Sequence, residues 1–186
     1  MKSQARLYVL FGNVSSGKST LARKIAEIYS SSYISSDALR EELTGDIGGS
    51  SGMVWPEMRK RMTAYLEAGT NVVIDSTGMS PKYCEIVDDF KSTYPTLVIE
   101  LYCDFETWQA RESERNDRWN LKNGEKVPFK MPVRAYEDSV DINIEADLRI
   151  DTTNMRETMF LTHALGLIAL NDPVWLERLK EMGFRS

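Results

Sequence analysis

Residues 10–20, LFGNVSSGKST, set the strongest constraint on the fold. An apolar run stops at Gly12, and a second glycine and a lysine follow at Gly17 and Lys18. The hydroxyl pair Ser19 and Thr20 then opens a pattern with Leu21, Ile25 and Ile28 at helical spacing. Glycines there let the backbone curl so tightly that its N–H groups converge. A helix starting at the same place adds the positive end of its dipole. Gly12-Asn13-Val14-Ser15-Ser16-Gly17-Lys18-Ser19 fits G-x-x-x-x-G-K-[ST], the P-loop spacing. In that pattern Lys18 reaches the β- and γ-phosphates of a nucleotide and the Ser19 hydroxyl ligates Mg²⁺. Ser15, Ser16, Gly17 and Thr20 complete the turn, and the implied cofactors are ATP and Mg²⁺.

A P-loop works only between a strand and a helix, and the rest of the chain repeats that alternation. Short β-rich runs at 6–11, 32–35, 71–75, 97–103 and 147–150 predict strands. Val72, Val73 and Ile74 are continuous, as in a strand buried on both faces. Helical patterns fall at 17–29, 37–43, 55–67, 82–92, 105–115, 132–140, 156–169 and 173–182. The stretches 45–52, GDIGGSSG, and 119–131 read as loops. Alternation of this kind predicts an α/β fold: a three-layer α/β/α P-loop domain with a parallel five-stranded sheet. With 186 residues the whole of 1–186 is expected to form one domain, with an arginine-bearing helical lid at about 111–134.

Composition narrows the setting. No apolar run approaches the roughly 18 residues of a membrane span, and the N-terminal apolar segment continues into the glycine turn. Cys84 and Cys103 form neither a disulfide framework nor a metal-ligand pattern, which points to a reducing, cytoplasmic location. His163 is the single histidine and sits in an apolar helical pattern, so no histidine-centred zinc site or general base is expected. Net charge is −5, with Lys and Arg concentrated in two blocks. Residues 1–30 carry five basic residues against one acid, 111–134 carry seven against four, and the remainder stands at −12. Both basic blocks bear motifs.

A kinase, a GTPase switch and an ATPase motor all use such a loop. Asp75-Ser76-Thr77-Gly78 matches the D-x-x-G element of GTPases, but their guanine-reading Asn-Lys-x-Asp stretch is missing. Motor ATPases place a glutamate after the strand-end aspartate, and here Ser76 follows. Asp75 is therefore read as a carboxylate near the metal or the acceptor. Ser35-Ser36-Asp37-Ala38-Leu39-Arg40 follows the second strand. Ser36 or Asp37 could cap a helix there. Strand ends in a parallel sheet also face the ligand crevice, and Asp37 and Arg40 stand three apart on one turn. Asp37 could take the proton of an attacking hydroxyl, or approach the metal, and Arg40 could hold the acceptor.

Arg111, Arg115 and Arg118 lie at i, i+4 and i+7, on one helical face that calls for an anion or for acidic partners such as Glu114. Beside a P-loop they read as a lid closing on ATP phosphates, and Lys122, Lys126, Lys130 and Arg134 extend the positive surface. Met58, Met62 and Leu66 read as core, while Trp55 and Trp119 flank the two loops, where a base could stack. Asp151-Thr152-Thr153-Asn154 after the last strand is a place where a purine could pack.

In order, GNVSSGKS, YISSDALR, NVVIDSTGMSP, ARESERNDR and VRAYEDS resemble the P-loop kinases of the polynucleotide 5′-hydroxyl kinase group, which includes phage and bacterial end-healing enzymes. The resemblance covers about 5–155. It implies that Asp37 is the general base, that Arg40 contacts the acceptor phosphate and that Arg115 grips the donor phosphates with Arg111 or Arg118 assisting. It matches Asp75 to the family's strand-end aspartate. It implies transfer of the ATP γ-phosphate to a nucleic-acid hydroxyl, foremost a 5′ end of DNA or RNA. Related acceptors are the hydroxymethyl group of modified uracil in phage DNA and small molecules or nucleosides, and a non-catalytic nucleotide-binding protein is a further reading. The loop filling Asn13-Val14-Ser15-Ser16 departs from the Pro-Gly or Gly-Ser common in these loops.

Overall fold

The computed structural model describes residues 5–45, 52–123, 136, 137, 142 and 144–171, apart from the side chains of 116–123. Two compact units divide the chain, 1–153 and 154–186. In the first, strands β1 (Leu7–Gly12), β2 (Ser32–Ser35), β3 (Val72–Asp75), β4 (Thr96–Tyr102) and β5 (Leu148–Asp151) form one sheet. Its order is β2-β3-β1-β4-β5, and every neighbouring pair is parallel. Helices α1 (Lys18–Tyr29), α2 (Ser36–Thr44), α3 (Val54–Glu67), α4 (Pro81–Lys91) and α5 (Phe105–Asn123) connect the strands. In the second unit, α6 (Glu157–Asn171) is the described element, and His163 is exposed on it.

Alternation along β1 sends side chains to both faces of the sheet, and all six of its residues are buried. Leu7, Val9 and Phe11 join Ile34, Val72, Ile74 and Val98 in one cluster. The covering helices α3 and α4 supply Met58, Met62, Leu66, Tyr83, Ile86 and Phe90 to it. On the opposite face Tyr8 stacks on Tyr29 of α1 with ring centroids 4.8 Å apart. The sheet is thus the middle of three layers, as the sequence predicts. Met58, Met62 and Leu66 are core residues, and Trp55 packs against that core, 5.8 Å from the Tyr83 ring.

The five strands begin and end within one residue of the expected limits. Helix α5 is the larger difference: it runs to Asn123, so 119–123 are helical and not part of a loop. The segment holds no glycine or proline, the two residues that interrupt a helix most strongly, before Gly124. Residues 173–182, expected to be helical, lie outside the described residues, as do all of 132–140 except 136 and 137. Among the described residues no helix is long and apolar enough to cross a membrane.

Candidate active site

The carboxyl ends of the strands carry the motif residues. Gly12 ends β1 with φ +127°, and a Cβ there would lie 1.9 Å from the Leu101 carbonyl oxygen on β4. Ser15 has φ +58° and Gly17 φ +97°, so the loop passes twice through left-handed backbone. For a serine that conformation costs about 1 kcal/mol. Gly17 caps α1 with no side-chain hydrogen bond, so no side chain occupies the positive end of the helix, the kind of place that suits an anion. Ser16 closes the turn by donating its hydroxyl to the Asn13 carbonyl at 2.8 Å. Lys18 Nζ donates to the same carbonyl and is only 8% exposed. Burial lowers its pKa to about 8, against the opposing pull of Asp75 and Asp37. Thr20 follows on the first turn of α1.

Ser19 and Asp75 meet although 56 residues separate them: Ser19 Oγ donates to Asp75 Oδ2 at 2.5 Å. The Tyr33 hydroxyl donates to Asp75 Oδ1 at 3.1 Å. Asp75 is 3% exposed, so both carboxylate oxygens are fixed in place. A hydroxyl and a carboxylate are the hard oxygen donors that Mg²⁺ takes when phosphates and water fill its remaining positions. The residues present therefore fit that ion.

Ser35 pairs with Asp75 across β2 and β3, so the start of α2 stands beside this corner. Ser35 occupies the N-cap position and makes no side-chain cap bond, so neither Ser36 nor Asp37 caps the helix. Asp37 Oδ1 instead accepts from Arg40 Nη1 at 2.8 Å. Its negative charge is felt at Lys18. Asp37, Arg40, Lys18, Ser19 and Asp75 thus share one edge of the sheet.

Helix α5 approaches the loop from the other side. Arg111 donates to the Ser15 carbonyl at 3.3 Å, to Thr152 Oγ1 at 2.9 Å and to the Thr152 carbonyl at 2.6 Å. Thr152 Oγ1 also lies 3.1 Å from the carbonyl oxygens of Ser16 and Tyr102. Arg111 and Thr152 together brace the loop from behind. Glu112 is buried and accepts from the Ser15 hydroxyl, and Arg115 Nη1 lies 3.4 Å from the same Oε1. The Arg115 charge adds to burial in making the charged form of Lys18 less favourable. The side chains of Arg118, Trp119 and Lys122, and all of Lys126, Lys130 and Arg134, lie outside the described residues.

The profile of the AAA domain family matches residues 7–134. The chain belongs to this family. A protein of Mycobacterium tuberculosis with no assigned function is 28% identical over 167 residues, covering 82% of this chain and 32% of the relative. The chain spans about a third of the length of the curated relatives it matches. A chain of the Pnkp1/Rnl/Hen1 RNA repair complex superposes with a TM-score of 0.59 at 21% identity, over 75% of this chain and 44% of that one. A sugar kinase from Janibacter sp. gives 0.58 at 20% identity, over 93% and 95%. The APS kinase of Mycobacterium tuberculosis gives 0.57 at 18% identity, over 90% and 97%. These likenesses show the fold, a P-loop kinase fold.

Within this AAA-family domain, three residues hold contacts in the site that the sequence did not assign to them. Tyr33 reads as a strand residue, Glu112 as a salt-bridge partner on a charged helix, and Thr152 as a loop residue beside a base site. Each acquires its place through contacts that only the folded chain makes.

Proposed function

We propose that the chain is an ATP-dependent phosphotransferase acting on a hydroxyl of a nucleic acid, foremost a 5′-OH end. The observation that carries this reading is the shared edge on which the Asp37–Arg40 pair faces Lys18 and the Ser19–Asp75 corner. A cradle alone binds a nucleotide; a carboxylate and a guanidinium beside it supply the means to seat an acceptor. Asp37 takes the proton of the acceptor hydroxyl as its oxygen bonds to the γ-phosphorus. The bond from that phosphorus to the bridging oxygen breaks, and ADP leaves. Phosphoryl transfer needs little covalent help, so positioning and charge neutralisation supply most of the rate. Lys18 and Arg115 meet the donor phosphates, and Arg40 holds the acceptor phosphate. Ser19 and Asp75 would hold Mg²⁺, which neutralises the charge developing on the phosphates.

The nucleic-acid acceptor is supported by the D-x-x-R element at Asp37 and Arg40 and by the structural neighbour from an RNA repair complex. A second reading, a small-molecule kinase, is favoured by the sugar kinase and APS kinase neighbours and by the net charge of −5. Asp37→Asn distinguishes a base from a residue that only pairs with Arg40. The variant is expected to bind ATP as wild type does and to transfer phosphate at least roughly 100-fold more slowly. Wild-type transfer rates in Asp37→Asn would remove the assigned base.

A further inference from the structure

Ser15 stands where the loop turns through left-handed backbone, a conformation that favours glycine. Its side chain is an unusual choice there and has a partner: the hydroxyl donates to Glu112 Oε1 on α5. Glu112 is 5% exposed, whereas its helix neighbours Ser113 and Glu114 face solvent. The same carboxylate oxygen lies 3.4 Å from Arg115 Nη1. A buried negative charge is therefore held at the mouth of a loop shaped for a polyanion. It stands between that loop and the arginine assigned to the donor phosphates. The Arg115 side chain is 47% exposed, which leaves it room to exchange one anionic partner for another.

We infer that Glu112 is a positioning residue of the nucleotide site, a counter-charge that the incoming triphosphate displaces. In the nucleotide-free protein it holds Arg115 beside the cradle and anchors Ser15. When phosphate arrives, the guanidinium transfers to phosphate oxygens, where charge-assisted bonds are stronger. The carboxylate then faces like charge and withdraws. Its repulsion grows with the charge of the ligand, so Glu112 weakens ATP binding more than ADP binding and leaves adenosine untouched. This inference rests on the reading of the loop as the ATP site.

Calorimetric binding of a non-hydrolysable ATP analogue, ADP and adenosine, with Mg²⁺ and without any acceptor, tests it on the full chain. Glu112→Gln is expected to bind the ATP analogue roughly tenfold tighter. The gain should be smaller for ADP and absent for adenosine. Ser15→Ala, which frees the carboxylate from the loop without changing charge, should give a smaller gain in the same order, and it carries the test if Glu112→Gln does not fold. Adding Arg115→Ala to Glu112→Gln should remove most of the gain, because the two residues act as a pair. Equal gains for all three ligands, no gain, or weaker ATP binding in both single variants would overturn the inference while leaving the ATP site intact. Failure of the wild-type chain to bind the ATP analogue would overturn the ATP-site reading and this inference with it.

Discussion

Lys18 is a buried amine whose pKa falls to about 8 because burial penalises its charge more than Asp75 and Asp37 support it. In the proposed ATP complex, triphosphate oxygens beside the ammonium would reverse that balance and raise the pKa. Below about pH 8 the amine is protonated with or without nucleotide, and this group adds no pH dependence. Above about pH 8 the free protein loses the proton and the complex keeps it. Binding then takes up a proton, and affinity falls by up to about tenfold per pH unit until the pKa of the complex is reached. Calorimetry at pH 9 in two buffers of different ionisation enthalpy should show uptake approaching one proton; zero uptake would contradict the burial argument. Gly12, Gly17, Lys18 and Ser19 were legible in the sequence because one short spacing fixes all four. Glu112 and Thr152 were not, because their partners Ser15 and Ser16 lie 97 and 136 residues away. No local pattern encodes such a contact.

At the level of elements, β1 and β4 meet closely where the loop leaves the sheet. Gly12 pairs with Leu101, and its missing side chain is what admits the Leu101 carbonyl. Gly12→Ala combines backbone strain at φ +127° with a Cβ only 1.9 Å from the Leu101 carbonyl oxygen. It is expected to lower unfolding free energy by at least about 2 kcal/mol, read from the urea midpoint. An unchanged midpoint would mean the two strands do not approach in this way. The central strands β1 and β3 were readable as short continuous apolar runs, because both faces of the sheet are covered there and all their residues are buried. The length of α5 was not readable. Its polar C-terminal half has no apolar stripe to mark it, although the helix continues to Asn123.

Over the whole molecule, function follows from which strand ends share an edge. The order β2-β3-β1-β4-β5 places β1 centrally, with β3 and Asp75 on one side and β4 and β5 on the other. The phosphate loop therefore lies between the proposed acceptor side, at the ends of β2 and β3, and the bracing contacts of Thr152 and α5. Sequence motifs named these parts, but strand order, which is set by long crossovers, brought Asp37 and Asp75 to one corner. The proposed reaction is transfer of phosphate from ATP to a nucleic-acid hydroxyl at that corner. Its most direct test is label transfer from γ-labelled ATP with Mg²⁺ to 5′-OH DNA, 5′-OH RNA, hydroxymethyluracil DNA and mixed nucleosides and sugars, with the unmodified chain. Label is expected on a polynucleotide, foremost at a 5′ end, and label confined to nucleosides or sugars would contradict the claim.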